Sequence, residues 1–186
     1  MTTKTLDEPR VDPRVTRTQN LLRDALKSLL SQKSFESTSV QDIAERATVN
    51  RATFYAHFQD KFALLNAVIR DALRQHLSEN DPMASDVRSL LSAVGKSVFG
   101  FVTAHGKCKV DRDFEPQFER AMEAELGEFL APRFSACTAH VIAAAMVGSA
   151  MRWRAGGRKE PADRLVRQIV DILSEGVAKS PARRSA

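Results

Sequence analysis

Apolar residues recur at spacings of three and four along most of the chain, and this period limits the folds that the sequence can adopt. Between residues 60 and 78 they trace one helical face, formed by Leu64, Leu65, Val68, Ile69, Ala72, Leu73 and Leu77. The same spacing returns across residues 13–32, 86–104, 116–130 and 161–179. Only eight glycines and seven prolines interrupt the 186 residues. The pattern predicts an all-α fold of about nine helices.

A polar segment containing Pro82 separates the chain into two parts. It predicts a hinge between an N-terminal domain over residues 14–78, which includes a connecting fourth helix, and a C-terminal helical domain over residues 79–179. The first 13 residues have the composition of a flexible arm. Residues 180–186 are small, polar and basic, which is typical of a disordered tail.

Composition excludes several classes of protein. Cys108 and Cys137 are the only cysteines and neither belongs to a CxxC pair, which argues against a disulfide framework or a zinc ribbon. The first residues lack the apolar core of a signal peptide, and the longest uncharged run, residues 135–151, falls short of a membrane span. We therefore expect a cytoplasmic protein with no membrane association. Its net charge of +5 permits nucleic-acid binding without demonstrating it.

Residues 39–61 predict two short helices joined by a tight turn. Thr38 and Gln41 fit a capping box that starts the first short helix, and Thr48 with Val49 forms the turn. Asn50 is a good N-cap for a second helix that runs to about Phe58. With a longer helix on each side, this arrangement predicts a helix-turn-helix unit, whose second helix can enter the major groove of DNA.

The polar residues of this stretch suit contact with a polyanion. Arg51 can donate two hydrogen bonds to the edge of a guanine, and Thr53 can contact a base methyl group. Further donors along the same rim are predicted to contact phosphate oxygens; these are Ser39, Tyr55, His57 and Lys61. Lys61 stands at the start of the next helix, where its charge adds to the positive end of the helix dipole.

These residues resemble the DNA-binding region of the TetR family of bacterial transcriptional regulators. The shared positions include Ser39-Val40, Ile43-Ala44, Ala47, Val49, Thr53, Tyr55, His57-Phe58, Lys61 and Leu64. The resemblance covers about residues 15–78. It implies base reading by Gln41, Arg51 and Thr53, a homodimer, and a nearly palindromic operator in double-stranded DNA. Thr48 departs from the pattern, because glycine is usual there. Either Thr48 has a positive φ, which costs about 1–3 kcal/mol, or the turn adopts a different geometry.

The resemblance implies that the C-terminal half binds a small-molecule effector and forms the dimer. A pocket among the fifth, sixth, seventh and eighth helices is expected to be lined by some of Phe99, Phe114, Phe118, Met122, Phe129, Met146 and Trp153, although each of these residues could instead be part of the core. The segment from residue 134 to 154 is apolar almost all round, so part of its burial is expected to come from a second subunit. The expected dimer contacts are Ala144, Gly148, Leu165, Ile169 and Ile172, although intrachain packing would also bury such residues.

Other chemistry has weaker support in the sequence. His105, Cys108, Asp111 and Asp113 lie within nine residues, but their spacing fits no common metal site, so a solvated loop is the default interpretation. The alternatives for this cluster are a metal site or a sensing thiol at Cys108. A nucleophile–base–acid set and a glycine-rich phosphate loop are both missing, so we expect no enzyme, catalytic residue or cofactor.

The function that follows is a sequence-specific transcriptional regulator, a repressor that a small and largely apolar effector releases from its operator. Two alternatives remain at this level. One is a DNA-binding protein that is independent of ligand or governed by a protein partner. The other is a helical carrier of small molecules that has no DNA function.

Overall fold

The computed structural model describes residues 12–79, 86–105 and 114–178, and these ranges contain eight α-helices and no strand. The helices are α1 (Pro13–Leu30), α2 (Val40–Arg46), α3 (Arg51–His57), α4 (Lys61–Glu79), α5 (Val87–His105), α6 (Phe114–Leu130), α7 (Ala136–Ala155) and α8 (Ala162–Ala178). The all-α prediction is confirmed, with eight described helices against about nine expected. The predicted tail, nearly all of the predicted arm and residues 80–85 of the predicted hinge lie outside the described residues.

Side chains at the helix starts fix where the N-terminal helices begin. The Asp12 carboxylate accepts a hydrogen bond from the Arg14 backbone N–H (2.8 Å) at the start of α1. The cap of α2 is one residue later than the sequence predicts, because Ser39 and Asp42 form the capping box. Thr38 is instead buried, and its hydroxyl donates to the Ser34 carbonyl.

The hydrogen bonds of this cap also lower the pKa of the Asp42 carboxylate. The Ser39 hydroxyl and backbone N–H both donate to the Asp42 carboxylate at 2.7 Å, and the Lys33 ammonium lies 2.9 Å away. These donors hold the pKa of Asp42 well below its usual range, with the Ser39 hydroxyl as the largest cause and Lys33 next. The Asp42 carboxylate is therefore ionised in the folded protein at neutral pH.

Side chains from the first four helices form the core of the N-terminal part. Seven of them are completely buried: Leu22 and Leu26 from α1, Ile43 from α2, Phe54 from α3, and Leu64, Leu65 and Leu73 from α4. A helix of seven residues such as α3 is too short to be stable alone, so this packing must hold it in place.

An ion network joins α4 to α6. Glu125 of α6 is buried, and its carboxylate accepts hydrogen bonds from Arg74 (2.7 and 2.8 Å) and from Arg70 (3.0 Å) of α4. Arg70 also pairs with the more exposed Glu128. The Glu125 hydrogen bond is the largest cause that raises the pKa of each arginine, and both arginines remain charged at any physiological pH.

Helices α5 to α8 form the C-terminal part, in which α7 packs against α6 and α8 packs against α5. The buried face of α7 carries Ile142, Met146, Val147 and Ala150. Arg154, near its end, pairs with Glu115 of α6 and lies over the Phe118 ring. None of the described helices has both the length and the hydropathy that crossing a membrane requires.

Candidate nucleic-acid interface and ligand cavity

One face of α3 is buried and the opposite face is open. Phe54 is completely buried, and its ring meets the Tyr55 ring edge-on at 5.4 Å between centroids. Tyr55 is 49% exposed, and Arg51, one turn earlier, is exposed as well. The Arg51 guanidinium lies 5.9 Å from the Tyr55 ring centroid and donates to its hydroxyl at 3.4 Å. The structure therefore presents a guanidinium and a phenol together on the outer face of this short helix.

Two of the predicted contact residues, Thr53 and Ser39, take part in helix capping. Asn50 caps α3 as predicted, and its side-chain oxygen accepts from the Thr53 backbone N–H (2.7 Å) and hydroxyl (2.9 Å). The Ser39 hydroxyl accepts from the Asp42 backbone N–H at 3.1 Å. Because the Thr53 hydroxyl proton is used within the helix, its methyl group is the part that remains for a base.

Gln41 and His57 flank this face. Gln41 is exposed in the first turn of α2, where its amide donates to the Glu45 carboxylate at 2.5 Å. His57 is half-buried in the last turn of α3. A Gln41 contact with a base requires the amide to leave Glu45, whose negative charge also faces the same side of α2.

Lys61 has partners inside the protein. Its ammonium donates to the backbone carbonyls of Phe35 (3.0 Å), Glu36 (3.3 Å) and Thr38 (3.1 Å). It also lies 4.5 Å from the Phe35 ring centroid and 5.6 Å from the Phe62 ring centroid. An ammonium has three donors. Lys61 therefore holds the loop before α2 against the start of α4, and its phosphate contact stays a prediction.

The turn between α2 and α3 has a backbone conformation that is unfavourable for the threonine within it. Thr48 has a φ of 58°, in the left-handed region that β-branched residues rarely adopt. Its neighbour Val49 closes the turn by donating from its backbone N–H to the Ala44 carbonyl at 2.9 Å. Thr48 therefore has a strained, positive φ at the position where the family pattern has glycine. The turn does not adopt a different geometry.

A cavity of about 520 Å³ lies where the N-terminal helices meet α5 and α6. Its walls come from the end of α1, the middle of α4, the end of α5 and the start of α6. The lining residues are Lys27, Leu30, Ser31, Gln32, Lys33, Leu65, Val68, Ile69, Ala72, Phe101, His105, Phe114 and Phe118. We call it the junction cavity, because it contacts both halves of the chain.

The junction cavity differs from the pocket that the sequence predicts among the fifth to eighth helices. Of the seven predicted residues, only Phe114 and Phe118 line it. The others have different surroundings: Phe99, Met122 and Met146 are core, and Phe129 is half-buried against that core. Trp153 stacks near Phe99 and lines a shallow groove beside α8. Residues of α1 and α6 line the cavity together, and no local pattern in the sequence indicates that these two helices lie near each other.

The residues predicted for a dimer lie on one side of the C-terminal part. Ala144 and Gly148 of α7 are half-buried, as are Leu165 and Ile169 of α8. Ile172 is 73% exposed, and it lines the same groove as Leu165, Ile169 and Trp153. An apolar groove that ends in an exposed isoleucine suits burial by another chain.

The predicted metal or thiol cluster can be followed only in part. His105 is exposed at the end of α5, with its ring stacked on Phe101 at 4.1 Å between centroids. Cys108, Asp111 and Asp113 lie outside the described residues. Among the residues that the structure does describe, no group of three or more metal-binding side chains comes together.

Comparison with known proteins shows what the N-terminal part is similar to. Residues 22–68 match the family model of bacterial regulatory proteins, tetR family. This range runs from the middle of α1 to the middle of α4, so it contains all of α2 and α3 and every residue predicted to contact DNA. Over these residues, about a quarter of the chain, the protein is similar to bacterial regulatory proteins of the tetR family.

Two curated proteins each resemble part of this chain. The HTH-type transcriptional regulator YxbF of Bacillus subtilis is 34% identical over 64 residues, which are 34% of this chain and 17% of YxbF. DhaS of Lactococcus lactis, the dhaKLM operon transcriptional activator, is 30% identical over 63 residues, which are 34% of this chain and 34% of DhaS. The chain therefore matches a third or less of the length of each relative.

Among solved structures, the TetR family repressor AlkX of Dietzia shares the fold over most of the chain. The TM-score is 0.54 at 15% identity, and the similarity covers 92% of this chain and 98% of AlkX. At that identity the comparison extends to the fold alone. The family-model match stops at residue 68, so the apolar groove lies beyond it, whereas seven of the thirteen residues that line the junction cavity lie within it.

Proposed function

We propose that the chain is a sequence-specific DNA-binding transcriptional regulator that acts as a homodimer in the cytoplasm. The observation that carries this proposal is the outer face of α3, where Arg51 and Tyr55 are exposed above the buried Phe54. A packed core holds the helix rigidly while its polar face stays open, which is what docking into a major groove requires. The family match covers this same region.

Within this proposal the contact residues have two roles. Arg51, Gln41 and the Thr53 methyl group read base edges, and they set sequence preference. The positioning residues hold the phosphates on either side; these are Ser39, Tyr55, His57 and Lys61. The Arg51–Tyr55 pair supports the division, because the phenol can orient the guanidinium while its own hydroxyl faces a strand.

The dimer is proposed to form through α7 and α8. Ala144 and Gly148 allow close approach of a second helix, and Leu165, Ile169 and Ile172 supply apolar area. Two copies related by a twofold axis would set two α3 helices about one turn of DNA apart, roughly 34–36 Å. The operator would then be a near-palindrome.

Regulation is proposed to work by release of a repressor when a small, largely apolar effector binds the C-terminal part. Support comes from the apolar walls of the junction cavity and from the shared fold with AlkX, which is described as a repressor. DhaS is described as an activator. A reporter gene placed behind the selected operator decides the sign, since a repressor lowers its expression and an activator raises it.

Selection from a random pool of duplex oligonucleotides tests the proposal. At low ionic strength the purified protein should enrich a near-palindrome. Its affinity for that duplex should fall by orders of magnitude between about 50 and 200 mM salt, as expected for several phosphate contacts. A protein that enriches no sequence and binds duplex no more tightly than an unrelated helical carrier does would refute the proposal.

A further inference from the structure

We propose that the junction cavity is a binding site for a small carboxylic acid with an apolar body. Its volume of about 520 Å³ falls within the range of small-molecule sites, roughly 300–1,000 Å³. The binding step itself does not depend on DNA recognition. Only its regulatory consequence rests on the proposed function.

The inner walls are apolar and rigid. Leu65, Val68 and Ile69 of α4 are buried and form one side. Phe101 and Phe118 form the other side, with parallel rings whose centroids are 5.9 Å apart, and Phe114 continues this aromatic wall. Such walls stabilise the hydrocarbon part of a ligand, because they remove its surface from water.

The rim has a positive charge that the rest of the cavity does not balance. Lys27 and Lys33 line it, and neither aspartate nor glutamate occurs among its described lining residues. Lys33 is held 2.9 Å from Asp42 outside the cavity, whereas Lys27 is more loosely placed, 3.4 Å from Asp24, with half of its side chain exposed. Ser31 and Gln32 add hydrogen-bonding groups at the same rim. A single carboxylate on an apolar body matches this arrangement.

Position explains why a ligand here would matter for regulation. The end of α1 forms part of the wall, and α1 packs against both α2 and α3. The opposite wall belongs to α5 and α6, so one ligand would contact both the C-terminal part and α1, the helix that supports α2 and α3. A ligand that fits only one arrangement of these parts shifts the protein toward that arrangement.

Decanoate and 1-decanol are suitable probes because they share a hydrocarbon chain and differ in the head group. Calorimetric titration of the full chain without DNA should show saturable decanoate binding. Ala72→Phe places a ring in the cavity and should weaken that binding by at least about tenfold. Ala124→Phe is the matched control, since Ala124 is also a helical alanine and lies outside the cavity. It should leave decanoate binding unchanged.

Lys27→Gln tests the head group and, at an exposed position, keeps the test valid if Ala72→Phe does not fold. It should weaken decanoate binding by about three- to tenfold and leave 1-decanol binding unchanged. Lys96→Gln, at an exposed lysine of α5 outside the cavity, should change neither. Equal loss of both probes in Lys27→Gln, equal decanoate binding by the two phenylalanine variants, or no saturable decanoate binding would each overturn the proposal.

Discussion

At the scale of single residues, Thr48 offers the most direct test of backbone strain. Its φ of 58° belongs to the left-handed region, where a Cβ costs roughly 1–2 kcal/mol. Thr48→Gly should raise the free energy of unfolding by about 1 kcal/mol, after allowance for the extra freedom of glycine in the unfolded chain. Thermal denaturation measures this change. Thr48→Ala is the control: it keeps the Cβ, and a gain equal to that of glycine would contradict the explanation.

Lys61 separates a structural role from a DNA-contact role. Loss of three hydrogen bonds to backbone carbonyls should lower the free energy of unfolding by about 1–3 kcal/mol in Lys61→Ala. The proposed phosphate contact predicts a second effect in the same variant, a salt dependence of DNA binding that is flatter by about one unit. Lys96→Ala, on an exposed face of α5, provides the baseline. If Lys61→Ala has the same denaturation temperature as the wild type, Lys61 does not have this structural role.

At the scale of helices, the pairing of α4 with α6 depends on one buried carboxylate. Glu125 accepts from both Arg70 and Arg74, so Glu125→Gln should destabilise the protein by about 2 kcal/mol. Glu128→Gln is a matched control on the same helix with the same Arg70 partner. Its side chain is 60% exposed, so it should cost less than about 1 kcal/mol. Urea denaturation compares the two, and equal costs would show that burial of Glu125 is unimportant.

Sequence patterns predict the short helices well because their signals are local. Asn50 caps α3 and Phe54 is buried beneath it, as hydroxyl or amide caps and apolar spacing indicate. The sequence predicts the cap of α2 one residue too early. Thr38 and Ser39 are adjacent, and the hydroxyl of either residue could cap a helix. Burial of Thr38 decides between them, and burial depends on the packing of the whole N-terminal part.

At the scale of the molecule, the pocket could not be placed from sequence for a related reason. Phe114 and Phe118 belong to the start of α6, and they line one cavity with α1 residues that are more than 80 positions earlier in the chain. Such an arrangement leaves no periodic pattern in either segment. Other aromatic residues of the C-terminal half fill the core. Residue type alone therefore does not distinguish a residue that lines a cavity from one that packs in the core.

Assembly is also a property of the whole molecule, and Ile172 tests it. Its side chain is 73% exposed in one chain, and a twofold interface through α8 would bury it twice. Ile172→Glu should therefore yield monomers in analytical ultracentrifugation while the helical content remains that of the wild type. Ile172→Leu keeps the apolar area and should remain dimeric. A dimer that is unaffected by glutamate would place the interface elsewhere.

The central claim is that the exposed face of α3 reads DNA sequence through Arg51. The most direct measurement compares the affinity of wild type and Arg51→Ala for the selected duplex and for a scrambled duplex of equal length, at one salt concentration. We predict that Arg51→Ala loses about 1–3 kcal/mol on the selected duplex and almost nothing on the scrambled one. An equal loss on both duplexes, or no preference in the wild type, would contradict the claim.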